Sequence, residues 1–194
     1  MAIPPFDCAS AEDVCCTTLF DLAEFILFSV RDALADCMPN ADCGCEPLDS
    51  YVTLSGDDGI TNALTVEIQS VGPSPITATG SSGVQRPLGL QRVTFVVRLR
   101  ESGWPMAYVD DNVIVAPDPT AQHFASRHAY AHGERMYRQL LFMLSTSTGF
   151  APDGVIYTRA SLSPLTALLP TAGVAGFFTS VTVDLNWGIG GSLR

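Results

Sequence analysis

The stretch Gln91-Arg92-Val93-Thr94-Phe95-Val96-Val97-Arg98-Leu99-Arg100 reads as a β-strand and sets the frame for the rest of the chain. Val93, Phe95, Val97 and Leu99 fall on one side, and Arg92, Thr94, Arg98 and Arg100 largely on the other. Successive side chains of a strand point to opposite faces, so this period of two describes one apolar and one polar face. A second run, Ser180-Val181-Thr182-Val183-Asp184-Leu185-Asn186-Trp187, alternates in the same way near the end of the chain. Half-buried strands need apolar cover on one side. Two helical stretches supply it, one at about residues 11–36 and one at about 119–146.

The first of these helices has a narrow polar stripe of Asp21, Glu24, Asp32 and Asp36. Leu19, Phe20, Leu22, Phe25, Ile26, Leu27, Val30 and Leu34 occupy nearly everything else. Phe28 sits inside the acidic stripe, because seven residues return it to the azimuth of Asp21. A helix apolar on most sides is usually buried on two. Its expected place is either the centre of the core or a position shared with a neighbouring subunit.

The second helix is marked by Asp118 as a cap, Pro119 at the first helical position and Gly149 beyond the end. Ala125, Ala129, Gly133, Met136, Tyr137, Leu140, Met143 and Leu144 form its expected buried arc. Arg127, Glu134, Arg135 and Arg138 form the outer arc, with Phe124 and Phe142 among them. The three arginines make a local basic stripe that suits either solvent or the acidic surface of an identical neighbour.

Further strands are expected at residues 50–54 and 64–71, with the turn Gly56-Asp57-Asp58-Gly59 between them. A closing pair is expected at 155–165 and 176–188, joined through Leu168-Leu169-Pro170-Thr171-Ala172-Gly173. Residues 72–90 are rich in glycine, proline and serine and read as a long loop insertion, an arm that orders on a partner. Residues 103–118 hold a small hairpin around Asp110-Asp111-Asn112. The fold class that follows is α+β: a mixed, mostly antiparallel sheet packed by an N-terminal helix and one long second helix. Residues 1–194 form a single domain, with 1–10 as an N-terminal arm.

Composition narrows the function. The chain is 47% hydrophobic and 15% charged, with ten arginines, no lysine, twenty acidic residues and a net charge of −10. Such a chain is globular and does not wrap nucleic acid, because phosphate binding needs a dense basic face. DNA can still slide past an acidic wall, and partners with basic patches suit it better. The start lacks a basic signal-peptide region, and Asp21 and Glu24 interrupt the apolar run 19–30, which is too short for a bilayer. The expectation is assembly in a cytosol, with no membrane partner.

All six cysteines, Cys8, Cys15, Cys16, Cys37, Cys43 and Cys45, lie in the first 45 residues. If residues 15–37 form one helix, its ends are about 33 Å apart, so Cys37 cannot reach Cys15 or Cys16. Cys8 with Cys15 or Cys16, and Cys37 with Cys43 or Cys45, are the disulfides that geometry allows. Inert thiols and a metal site are the alternatives, although the spacings do not match zinc knuckles.

Catalytic chemistry is not visible. His128 and His132 are four apart on one helix face, as a zinc pair would be. Ala129 stands where a metalloprotease carries its glutamate, and no carboxylate is obviously paired with them. Both are expected at the surface or between subunits. Asp57-Asp58 and Asp110-Asp111 lack calcium-loop spacing, and nucleophile-elbow, P-loop and dinucleotide fingerprints are absent. No catalytic, cofactor or metal residue is assigned.

The chain resembles the tail terminators of long-tailed, siphovirus-like phages. The resemblance lies in the order helix, antiparallel strands, long helix, closing strands, which spans nearly the whole chain. The stretch from Leu162-Ser163-Pro164-Leu165 to Gly173-Val174-Ala175-Gly176-Phe177-Phe178-Thr179-Ser180-Val181-Thr182-Val183 is similar to the family's closing β pair, and the lysine-free composition suits GC-rich phage genomes. The resemblance implies a virion protein of the tail and neck, assembled in the host cytoplasm as a hexameric ring. Its implied partners are further copies of itself, the major tail-tube protein and the head–tail connector or stopper, with DNA passing through the lumen unbound. Phe28, Phe124, Arg127, Arg135, Arg138 and Phe142 are the expected subunit-interface residues. A head–tail stopper or adaptor is the alternative within this class. A cysteine-stapled binding module or a small metal-dependent enzyme is the alternative outside it.

Overall fold

The computed structural model describes residues 19–35, 49–53, 62–75, 77–79, 85–87, 91–110, 113–145 and 156–186. The six cysteines, the arm at 1–10 and the outer ends of the first expected helix, at 11–18 and 36, lie outside these residues.

Among the described residues the strands in chain order are β1 (Asp49–Thr53), β2 (Ala63–Pro73), β3 (Thr77–Thr79), β4 (Gln85–Pro87), β5 (Gln91–Ser102), β6 (Tyr108–Asp110), β7 (Val113–Val115), β8 (Ile156–Leu162), β9 (Thr166–Thr171) and β10 (Val174–Asn186). The helices are α1 (Leu19–Ala35) and α2 (Pro119–Ser145). The main sheet runs β1-β2-β5-β10-β8, and β9 pairs with β10 beside β8. Every pairing in it is antiparallel except that of β1 with β2. This is the α+β architecture expected from the sequence.

The two faces of β5 follow its alternation except at Val96, which is buried on the otherwise polar face. Val93, Phe95, Val97 and Leu99 are fully buried and form one core with Leu22, Ile26 and Val30 of α1, Met136 and Leu140 of α2, and Val181, Val183 and Leu185 of β10. Both helices therefore cover one face of the sheet. The opposite face is a polar lattice in which Arg92 pairs with Asp184, Thr94 Oγ1 meets Thr182 Oγ1 at 3.2 Å, and Arg98 Nη1 donates to Glu67 Oε2 at 2.5 Å.

α1 buries one arc, Leu22, Ala23, Ile26, Leu27, Val30 and Leu34, against α2, β1 and β2. Within the single chain its burial is one-sided rather than two-sided, so Phe20 and Phe28 remain exposed. α2 starts as its signals predict. Asp118 accepts hydrogen bonds from the Thr120 and Ala121 amides at 3.0 and 3.3 Å, satisfying donors that the first turn leaves unpaired. Gly133 lets α2 approach the sheet. A Cβ there would stand 2.5 Å from Cδ2 of Phe177.

The strand pairings extend the expected elements and correct two of them, the connection at 168–173 and the loop at 72–90. The strands expected at 50–54 and 64–71 are present as β1 and β2, which run parallel with Asp49 opposite Ala63 and Val52 opposite Val66, and the turn expected at 56–59 lies outside the described residues. Alternation fixes which face a strand buries but not its direction. The connection read at 168–173 is mostly strand: β9 extends to Thr171, and only Ala172 and Gly173 turn, at φ 50° and 78°. Two positive φ values in a two-residue loop match the twist of the strands that it joins. β8 and β9 are halves of one edge interrupted at Ser163, whose amide donates to Ser180 O at 2.9 Å and whose Oγ accepts from the Ser180 amide at 2.8 Å. The loop insertion at 72–90 begins with the last two residues of β2 and carries a short ribbon, Thr77 opposite Pro87. The hairpin expected within 103–118 is present as β6 and β7.

Candidate functional site

Glu101, near the end of β5, has the same parity as Val93, Phe95, Val97 and Leu99, so it lies on the helix-covered face. A carboxylate there needs a partner, since burying an unpaired charge is strongly unfavourable. The partner is His132 of α2: Nδ1 of the ring contacts Glu101 Oε1 directly. His132 is only 5% exposed. The expectation of two surface or inter-subunit histidines is corrected for His132, which the packing of α2 turns inward. His128, one helical turn earlier, stays exposed, and its ring meets that of His132 edge-on with centroids 4.2 Å apart. Ligating atoms of Glu101, His128 and His132 all lie within 4.8 Å of one another. Among the described residues no buried side-chain nitrogen or oxygen lacks a hydrogen-bond partner.

The expected interface residues separate into two groups. Phe124 and Arg127 lie near the start of α2, both exposed, with the His123 ring edge-on to Phe124 at 5.9 Å. Arg135, Arg138 and Phe142 lie toward its end, lining an open groove with Glu134, Gln139 and Ala33 of α1. Phe124 and Phe142 share an azimuth but stand about 27 Å apart along the axis, at about 1.5 Å per residue. Arg138 is held by Glu134 one turn back, Nη2 to Oε1 at 2.6 Å, and Arg135 is half-buried. Phe28 carries the Arg31 guanidinium over its ring at 4.7 Å, a cation–π contact.

Sequence reasoning missed two features. Glu101 was one, although its parity with the core residues of β5 was a legible signal. The other is a set of exposed apolar side chains on the β6–β7 hairpin and on β9. The β9–β10 turn is tied to the segment after β5, Trp104 N donating to Gly173 O at 2.9 Å. Close by in the chain, the β6–β7 hairpin exposes Tyr108, Val109, Val113 and Ile114, with Ile114 at 75%, and β9 exposes Leu169 at 86%.

Comparison of the chain with protein-family models finds no match, and comparison with curated proteins finds none either. No helix among the described residues is long and apolar enough to cross a membrane.

Proposed function

We propose that this protein is a ring-forming structural component of a long-tailed phage. In this reading it caps the head-proximal end of the tail tube, stops tube growth and joins the tail to the head connector. The observation that supports the reading is the exposed apolar surface of the hairpin, where Tyr108, Val109, Val113 and Ile114 all face solvent. Contiguous apolar surface of this kind marks a protein–protein contact, and hairpins held only by their own two strands adapt readily to a neighbour. Further copies of this chain, of net charge −10, are the proposed partners, and the exposed Arg127 at the start of α2 suits such an acidic neighbour.

The test is the mass of the purified protein in solution, alone and with tail tubes of a related phage, by light scattering and negative-stain microscopy. A six-fold ring, or density capping one end of the tubes, is the expected result. A monomer that ignores tubes would overturn the reading.

A further inference from the structure

We propose that Glu101, His128 and His132 bind one divalent transition-metal ion, with zinc the best fit. The three side chains place ligating atoms within 4.8 Å of one another, compact enough for small side-chain rotations to close a first coordination shell. Two neutral imidazoles and one carboxylate suit zinc and its neighbours in the first transition row. Calcium and magnesium prefer oxygen throughout.

The scaffold is rigid on both sides. His128 and His132 are successive turns of a 27-residue helix, and the register of β5 with β10, Glu101 opposite Ala175, fixes the carboxylate beneath them. His132 Nδ1 and Glu101 Oε1 touch as they stand. Nδ1 can bind the ion as a neutral imidazole donor once the ring's single proton sits on Nε2, while the carboxylate turns to reach the usual zinc–oxygen distance of about 2.0–2.2 Å. Three protein ligands leave the fourth tetrahedral position open, and the exposure of His128 sets it at the solvent edge. The bound ion joins α2 to the end of β5, just before the segment that leads to the exposed hairpin. This inference is independent of the role proposed above.

The deciding experiment is equilibrium dialysis of the untagged full-length protein against micromolar zinc, with metal measured by elemental analysis, for wild type, His128→Ala and His123→Ala. His128 is exposed, so its removal leaves the core intact, and His123 reports adventitious surface histidine binding. Wild type and His123→Ala should bind one equivalent more than His128→Ala. The affinity lost should exceed the roughly 10–100-fold typical of changes outside the ligand shell. Cobalt in place of zinc should give tetrahedral visible bands without a thiolate charge-transfer band, and His128→Ala should lose them. Equal metal in wild type and His128→Ala, including metal held on cysteine thiols in both, would overturn the proposal.

Discussion

Arg92 and Asp184 meet in a two-pronged ion pair across β5 and β10, Nε donating to Oδ1 at 2.9 Å and Nη2 to Oδ2 at 3.0 Å. Asp184 is 2% exposed, so this fork is what makes a carboxylate tolerable there. The hydrogen bonds from Arg92 are the main cause that holds the Asp184 carboxyl below its usual range. A hydrogen bond from Ser74 and the charges of Arg92 and Arg159 act the same way, and together they outweigh burial, which pushes upward.

That depressed pKa gives the acid response a sign. As pH falls, the unfolded chain takes up a proton at about 3.9, before the folded one does. The stabilisation is therefore complete above about pH 5 and is lost as pH falls through the folded value. The melting temperature of wild type should drop across this window, and Asp184→Asn should begin lower and drop less. At neutral pH the substitution should cost about 1–3 kcal/mol. A variant profile as steep as wild type would assign the acid sensitivity to other carboxylates.

Gly133 and Phe177 set the height of α2 above the sheet. Gly133→Ala gains up to about 1 kcal/mol of helix propensity, but its Cβ would stand 2.5 Å from Cδ2 and 2.7 Å from Cγ of the ring. Overpacking typically costs about 1–3 kcal/mol, so the net expectation is a loss. Chemical denaturation of Gly133→Ala, Phe177→Leu and the double variant should show a favourable coupling, since the smaller side chain relieves the clash. Strict additivity would mean that the helix shifts freely instead.

Gly176 admits no such relief. A Cβ there would lie 1.9 Å from the Leu99 carbonyl oxygen, a backbone atom of the central strand. Gly176→Ala should be more damaging than Gly133→Ala, and soluble yield with circular dichroism is the measurement. A stable Gly176→Ala would place β10 farther from β5 than described.

The cap on α2 is a local test of the same helix. Asp118→Ala removes acceptors from the Thr120 and Ala121 amides and should cost about 0.5–2 kcal/mol, whereas Asp118→Asn should retain most of the stability. Thermal melts of the three proteins decide it.

Assembly can be separated from folding because the implicated residues are exposed. Val109→Asp with Ile114→Asp should leave the melting temperature of the isolated chain nearly unchanged and reduce its mass in solution. Phe28→Asp and Arg138→Glu probe the helix faces in the same assay. If the chain assembles as proposed, assembly that survives Phe28→Asp and Arg138→Glu would overturn the assignment of these helix faces to an interface.

The sequence by itself determined the elements and their buried faces. The alternation of β5 and β10, the arc of α2 and its Asp118 cap each depend on residues within a few positions, where backbone geometry dictates periodicity. Tertiary structure alone decided what depends on partners distant in the chain. Direction in the β1–β2 pair comes from backbone hydrogen bonding, which side-chain alternation does not encode. His132 lies at the edge of the arc that α2 buries through Met136 and Met143, and only the packing of α2 on β5 brings Glu101, 31 positions earlier, to the imidazole. The arginine and phenylalanine arc of α2 was correct in azimuth, but the length of the helix divides it into two separate surfaces.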